Sequence, residues 1–324
     1  MTRPLFLLLF FALASFAQSS GCFRFFPGSF KVIDGHPAYA VAKNRFVSLR
    51  APKKYKTLME DPFRGLVLFE AESGRPFILV EGKSPLTYCP SDGRKVKVLS
   101  TPVAVWPGRL KGEVEGEGAL FGSCCKLAGL VTQEGGWFDA EAIRRLMRGD
   151  IYHGDIGVRW KRIREGAVVE SVDPWSGLAL REGDRLLSVG KKKRASWCDF
   201  WERVDACRPG GHVTLGVLRD GKALHITAGC YGRMGGGRVS DTFLERFGLR
   251  FAKDLTILWA DPSKKAYKAG LRAGDRLIMI DETPVKSDKD VRVVLSRLHE
   301  KGRMPRRMLW DRNDFQFFLL LTAP

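Results

Sequence analysis

Asp155-Ile156-Gly157-Val158, followed by VVESVDP at residues 168–174 and by Gly183-Asp184-Arg185-Leu186-Leu187-Ser188-Val189, has a counterpart later in the chain. The counterpart runs Arg246-Phe247-Gly248-Leu249, then LTILWADP at residues 255–262, then Gly274-Asp275-Arg276-Leu277-Ile278-Met279-Ile280. Gly157 stands 27 positions before Asp184, and Gly248 stands 27 before Asp275. Self-similarity at a fixed spacing marks one structural unit used twice. After each Gly-Asp the pattern predicts a helix, over residues 197–206 in the first copy and 288–299 in the second. Each copy ends in two strand-like runs about a turn, VTLGVLRDGKALHIT and RMLWDRNDFQFFLLL. The Gly-rich stretch 232–237 between the copies reads as a flexible linker.

A strand, a short helix, a Gly-Asp turn, a strand, a second helix and a closing hairpin describe a small, partly open barrel. Each copy resembles the PDZ family, on its apolar-Gly-apolar loop and the GDR-apolar-apolar run that follows at the right distance. The resemblance implies that backbone N–H groups of the loop converge on a peptide's terminal carboxylate as a nest of donors. Ile156, Gly157 and Val158 in the first copy, and Phe247, Gly248 and Leu249 in the second, are then the peptide-binding loops. Glycine is needed there because only a residue without Cβ turns so tightly and lets a ligand approach. The peptide would add a strand at the edge that begins with Val158 or Leu249. Trp197 and Trp201, and Val291 and Leu295, are the helix residues that would line the side-chain pocket; ordinary core packing is the alternative for each. Arg148 and Arg246 are candidate charges for the carboxylate, against the commoner solvated surface role. Asp155 sets a negative charge at the first loop, which makes the second copy the better candidate for tail capture.

Upstream, strand-like runs at 38–49, 65–69, 77–80, 96–105 and 127–131 predict a mostly β domain. Three stretches resemble the triad neighbourhoods of HtrA-type serine proteases, chymotrypsin-like double barrels with C-terminal PDZ domains. Val41-Ala42-Lys43-Asn44-Arg45-Phe46-Val47 puts Arg45 where the His would be, and Asp61-Pro62-Phe63-Arg64-Gly65-Leu66-Val67-Leu68 puts Gly65 in place of the Asp. Gly116-Glu117-Gly118-Ala119-Leu120-Phe121, ahead of Leu127-Ala128-Gly129-Leu130-Val131, puts Gly116 or Glu117 in place of the Ser. Triad catalysis needs a hydroxyl, an imidazole and a carboxylate. Arg45 cannot act as a base and Gly65 has nothing to orient one. The resemblance therefore implies lost triad positions at Arg45, Gly65 and Gly116, a pseudo-protease, and no enzyme. The other catalytic arrangement weighed is a Cys–His dyad using Cys124 or Cys125, with Ser123 as a further nucleophile and His36 or His153 as the imidazole. Disulfide bonding is the more usual fate of such cysteines in an oxidising compartment.

Arg3 followed by an apolar run at 5–16 and small residues has the layout of a secretory signal peptide over residues 1–17. This twelve-residue run is shorter than the roughly 20 apolar residues that span a bilayer as a helix, which favours cleavage over the alternative, an uncleaved inner-membrane anchor. Export, to a bacterial periplasm, permits disulfides among the seven cysteines, with Cys22 to Cys124 or Cys125 closing the N-terminal domain. The net charge of +18 admits peripheral membrane contact or a polyanion partner. The basic runs lack interleaved stacking aromatics, which argues against nucleic acid. No metal or cofactor motif is present.

The expected fold class is thus mainly β with short helices (α+β). A degenerate chymotrypsin-like β-barrel domain (18–147) precedes two PDZ partly open barrels (148–230 and 231–324). The expected function is a non-catalytic exported adaptor that captures protein C-termini or extended peptides in the cell envelope. The alternatives are an HtrA-type serine endopeptidase or protease-associated regulator, and a basic envelope-surface or polyanion-binding protein.

Overall fold

The computed structural model describes Cys22 and residues 26–80, 87–89, 96–111, 114, 116–122, 125–164 and 166–321. The signal-like segment, Ser123 and Cys124 lie outside the described residues. The chain divides into two compact units, Met1–Ile151 and Tyr152–Pro324.

The first unit holds two antiparallel sheets. One has the order β1-β2-β3-β5-β4, from β1 (Phe30–Ile33), β2 (His36–Ala42), β3 (Arg45–Ser48), β4 (Thr57–Asp61) and β5 (Leu66–Glu70). The other has the order β6-β9-β10-β11-β8-β7, from β6 (Thr87–Cys89), β7 (Lys97–Ser100), β8 (Gly108–Lys111), β9 (Gly118–Phe121), β10 (Leu127–Val131) and β11 (Gly136–Asp139). Tyr39, Val47, Leu66 and Leu68 of one sheet share a core with Phe121, Leu127, Leu130 and Phe138 of the other. The run 77–80, read from sequence as a strand, is instead a tie between the sheets. Phe77 N–H donates to Ala40 O, while Val80 N–H and Leu127 N–H bond Leu127 O and Ile78 O. Asp139 caps helix α1 (Ala140–Met147) by accepting from Ala142 N–H, an interaction worth about 1 kcal/mol. Ile143 and Leu146 of α1 complete the core. Cys22 and Cys125 form a disulfide across a sequence separation of 103. Loop-closure entropy makes such a link worth about 4–5 kcal/mol.

The second unit holds both copies of the repeat. In the first, β13 (Val158–Ile163), β14 (Gly166–Val172), β15 (Arg185–Val189), β17 (His212–Arg219) and β18 (Lys222–Gly229) form one antiparallel sheet in that order, with β16 (Lys192–Lys193) on β15. Helix α2 (Trp197–Asp205) begins at a capping box between Ser196 and Asp199. The short strands β12 (Gly154–Asp155) and β19 (Tyr231–Gly232) pair, and Cys207–Cys230 is a disulfide. The second copy repeats the order with β20 (Leu249–Phe251) and β21 (Ile257–Ala260), α3 (Lys265–Lys268), β22 (Arg276–Ile280), β23 (Thr283–Pro284), α4 (Asp288–Glu300), β24 (Met308–Arg312) and β25 (Phe315–Leu319). The short helix expected in both copies appears only in the second. In the first, Gly177 at φ +69° turns the chain where α3 would begin.

The Gly-Asp turn recurs for a physical reason. Asp184 accepts Arg181 N–H at 2.9 Å and is clasped by Arg219. Asp275 accepts Arg272 N–H at 2.8 Å and is clasped by Arg312. Each aspartate thus closes its turn and ties it to the final hairpin. The chain is mainly β with short helices throughout.

Candidate functional site

The carboxylate loop of the first copy is occupied by its own side chain. Asp155 is buried, and its Oδ1 accepts Ile156 N–H at 2.7 Å and Gly157 N–H at 2.9 Å. These are the donors that a peptide's terminal carboxylate would need. Burial alone would raise the Asp155 carboxyl, but the charges of Arg159 and Arg233 outweigh it and hold the carboxyl below its usual range. The pairing of β12 with β19 lays the chain across this loop, and a Cβ on Gly157 would meet the Tyr231 hydroxyl at 2.5 Å. Trp197 Nε1 reaches from α2 to donate to Trp160 O on β13, at 3.3 Å. Trp201 is buried with the Arg233 guanidinium over its ring at 4.6 Å, so it packs in the interior rather than facing a groove.

The second loop is built from different chemistry. Gly248 sits at φ +85°, its N–H donating to Glu245 O at 2.9 Å. Arg246, at the place of Asp155, turns away and bonds Asp173 and the Tyr231 hydroxyl. Phe247, Leu249, Val291 and Leu295 all belong to the buried core of this copy. The helix face expected to line a pocket is therefore closed by the module's own side chains, which is the core-packing alternative. Arg148 bonds Glu141 on α1 of the first unit.

The stretch read as a flexible linker is folded and half-buried. Arg233 N–H donates to His153 O at 2.7 Å, and Gly236 and Ser240 close a tight turn. The residues that follow it, Ser240 and Asp241, bind both copies. Phe251 N–H donates to Ser240 Oγ at 3.0 Å, and Asp241 N–H donates to Asp288 Oδ2 at 2.7 Å. Arg292 bonds Asp241 O, and Arg159 grips the Asp241 carboxylate with Nε at 2.7 Å and Nη2 at 2.8 Å. Burial would raise that carboxyl, yet Arg159 first and Arg292 and Arg233 after it hold it at about 2. Sequence reading missed this cluster. Arg159, directly after the first loop, was the available signal, but an Arg beside a loop reads as solvated.

In the first unit the positions assigned to a lost triad do not converge. Strand β3 pairs with β5 so that Arg45 faces Glu70 and Ser48 faces Val67. Gly65 precedes β5, which puts Arg45 and Gly65 at opposite ends of the pair, about 16 Å apart at roughly 3.3 Å per residue. Gly116, at φ +82°, precedes β9. A different pair does form. His36 Nδ1 lies 2.9 Å from Glu117 Oε2, and Arg50 Nε lies 3.5 Å from Glu117 Oε1. With Nδ1–H donating to the Glu117 carboxylate, Nε2 is the ring nitrogen left to exchange a proton. This is the orientation a general base requires. Among the described residues no group of three His, Cys, Asp or Glu side chains has metal-site geometry.

Residues 154–228 match the PDZ domain family. A probable periplasmic serine endoprotease DegP-like of Halomonas elongata is 29% identical over 178 residues, 49% of this chain and 38% of that protein. The periplasmic pH-dependent serine endoprotease DegQ of Escherichia coli is 29% identical over 150 residues, 41% of this chain and 32% of that protein. The chain thus matches well under half the length of these relatives. A solved structure of the HtrA-type protease AlgW with decapeptide aligns at a TM-score of 0.44 and 17% identity, covering 61% of this chain and 82% of that one. The expectation of a non-enzyme is corrected by these relatives, which are named serine endoproteases. The chain carries a PDZ domain at residues 154–228 and, over about half its length, resembles the HtrA-type serine endoproteases.

Proposed function

We propose that this chain is an HtrA-type serine endopeptidase of the periplasm, whose PDZ half captures peptides and whose first unit cleaves them. The observation that carries the reading is the His36–Glu117 pair, joined to relatives named as periplasmic serine endoproteases. Glu117 fixes the imidazole tautomer, and Nε2 is free by valence to take a proton from an attacking hydroxyl. Ser123, in the run after the Gly116 loop, is the candidate nucleophile by sequence. The signal-like segment and the disulfides suit an oxidising compartment.

The test is turnover of unfolded casein by the purified chain. His36→Ala and Ser123→Ala should abolish cleavage, and Glu117→Gln should lower it roughly 10²–10⁴-fold by loosening the imidazole. Casein left intact by the wild-type chain would sink the endopeptidase reading. A second reading, a regulator of such a peptidase, is favoured by Asp155 filling the first carboxylate loop. A regulator would alter the turnover of an added HtrA-type peptidase and show no His36 dependence.

A further inference from the structure

The free edge of β20 is where an added peptide strand would lie. Ala252 N–H donates to Thr256 O on the β21 side, so alternation points Phe251 N–H to the opposite edge, toward α4. That donor does not face an empty groove. It is taken by Ser240 Oγ, and the next residue, Asp241, is bonded through its N–H and O to Asp288 and Arg292 of α4. A short segment of the chain therefore lies between the edge strand and the helix, bonded to both.

We propose that Ser240-Asp241 is an internal stand-in that occupies the peptide groove between β20 and α4, and that the peptide able to displace it carries an acidic side chain at the place of Asp241. The inference rests on the reading of this half as peptide-capturing. The acidic preference follows from charge. Arg159 and Arg292 both contact the Asp241 carboxylate, the second at 3.5 Å, and Arg159 is buried. Removing Asp241 without replacement leaves Arg159 with Asp155 alone and Arg292 with Glu170 alone, so the buried cluster is one negative charge short, which is unfavourable. A ligand that displaces the strap must bring a carboxylate to the same place. Arg159 belongs to the first module's edge strand, so the exchange also loosens the tie between the two modules. Asp288 adds a second requirement. Its Oδ2 accepts a backbone N–H, so the ligand residue bearing the acid must present a main-chain donor, as an extended strand does.

The probe is a fluorescein-labelled peptide copying residues 237–243, with a partner peptide in which Asp241 is replaced by Asn. Anisotropy is read on the full chain, on Asp241→Asn and on Ser240→Ala. Asp241→Asn weakens the strap while keeping its shape, and it should bind the acidic peptide at least tenfold tighter than wild type. Ser240→Ala, which removes the Phe251 bond and the Ser240–Glu245 contact but leaves the ion pairs of Asp241, should gain about threefold and serves if Asp241→Asn does not fold. Both should discriminate against the Asn peptide. Equal affinity of wild type and Ser240→Ala, or of the acidic and Asn peptides, would overturn the inference. A C-terminal peptide library that binds and loses affinity on amidation, with neither strap variant mattering, would leave the capture reading standing while the strap inference fails. Absence of binding by any peptide to any variant would overturn both.

Discussion

The two copies of the repeat share their frame and differ at the loop that would meet a ligand. In both, the residue after the strand closes back on the loop glycine, Asp173 N–H to Gly157 O at 2.8 Å and Asp261 N–H to Gly248 O at 2.9 Å. In both, the Gly-Asp turn is clasped by an arginine of the closing hairpin. Two residues before each loop glycine the copies part. Asp155 turns onto its own loop and consumes the loop's donors, whereas Arg246 turns away from its loop and holds buried Asp173 of the other copy. One acidic side chain satisfies the loop's donors from within the chain. A repeat can therefore keep its fold while one copy becomes a docking surface for the other.

The largest effect should come from breaking the self-satisfied loop. Asp155→Ala leaves Arg159 and Arg233 short of a buried partner and should cost about 3–5 kcal/mol in a urea melt. Asp155→Asn keeps an acceptor for Ile156 and Gly157 N–H and should cost less. If Asp155→Ala melts like wild type, the loop is not held by that carboxylate. A second difference is covalent. The first copy carries Cys207–Cys230, which closes a separation of 23 residues, and the second carries no disulfide among the described residues. Replacing both cysteines by Ser should destabilise the second unit by about 3 kcal/mol, read by thermal or urea unfolding.

A third difference titrates. Glu245, beside the second loop, is buried, and burial first and the Asp241 charge next push its carboxyl up to about 7. An acid whose pKa is higher folded than unfolded binds its proton more tightly in the native state. Its contribution is fully present below about pH 4.5 and is lost as the pH rises through about 7. Unfolding free energy should therefore fall by roughly 3 kcal/mol across that window, and Glu245→Gln should flatten the profile. A wild-type profile as flat as the variant's would remove the buried acid from the account.

Much of the fold was legible because the repeat is written twice. The two helices after the Gly-Asp turns begin at Trp197 and Asp288 as their patterns predict, and each start is fixed by a serine cap that sequence alone displays. Cys22–Cys125 was one of two pairings left open, and the sequence reading could not choose between vicinal cysteines. The candidate site was far less legible. Trp201, Val291 and Leu295 sit at helical positions that serve core and groove alike, and only packing separates the two. Local motifs carry no information on strand register, and the register sets Arg45 and Gly65 at opposite ends of a pair. His36 and Glu117 are 81 residues apart, and nothing local in either announces the other. The strap was hidden for a related reason. A Gly-rich run reads as flexible, yet its glycines here allow a tight turn, since a Cβ on Gly235 would stand 2.5 Å from Ser240 O.

The measurement that bears most directly on the division of labour between the modules is hydrogen exchange of the intact chain, read with and without an acidic extended peptide. The account predicts faster exchange along residues 233–243 on peptide addition, retained protection at Phe251, and no change at Ile156 and Gly157, whose donors stay with Asp155. Altered exchange at Ile156 and Gly157, with residues 233–243 undisturbed, would contradict it.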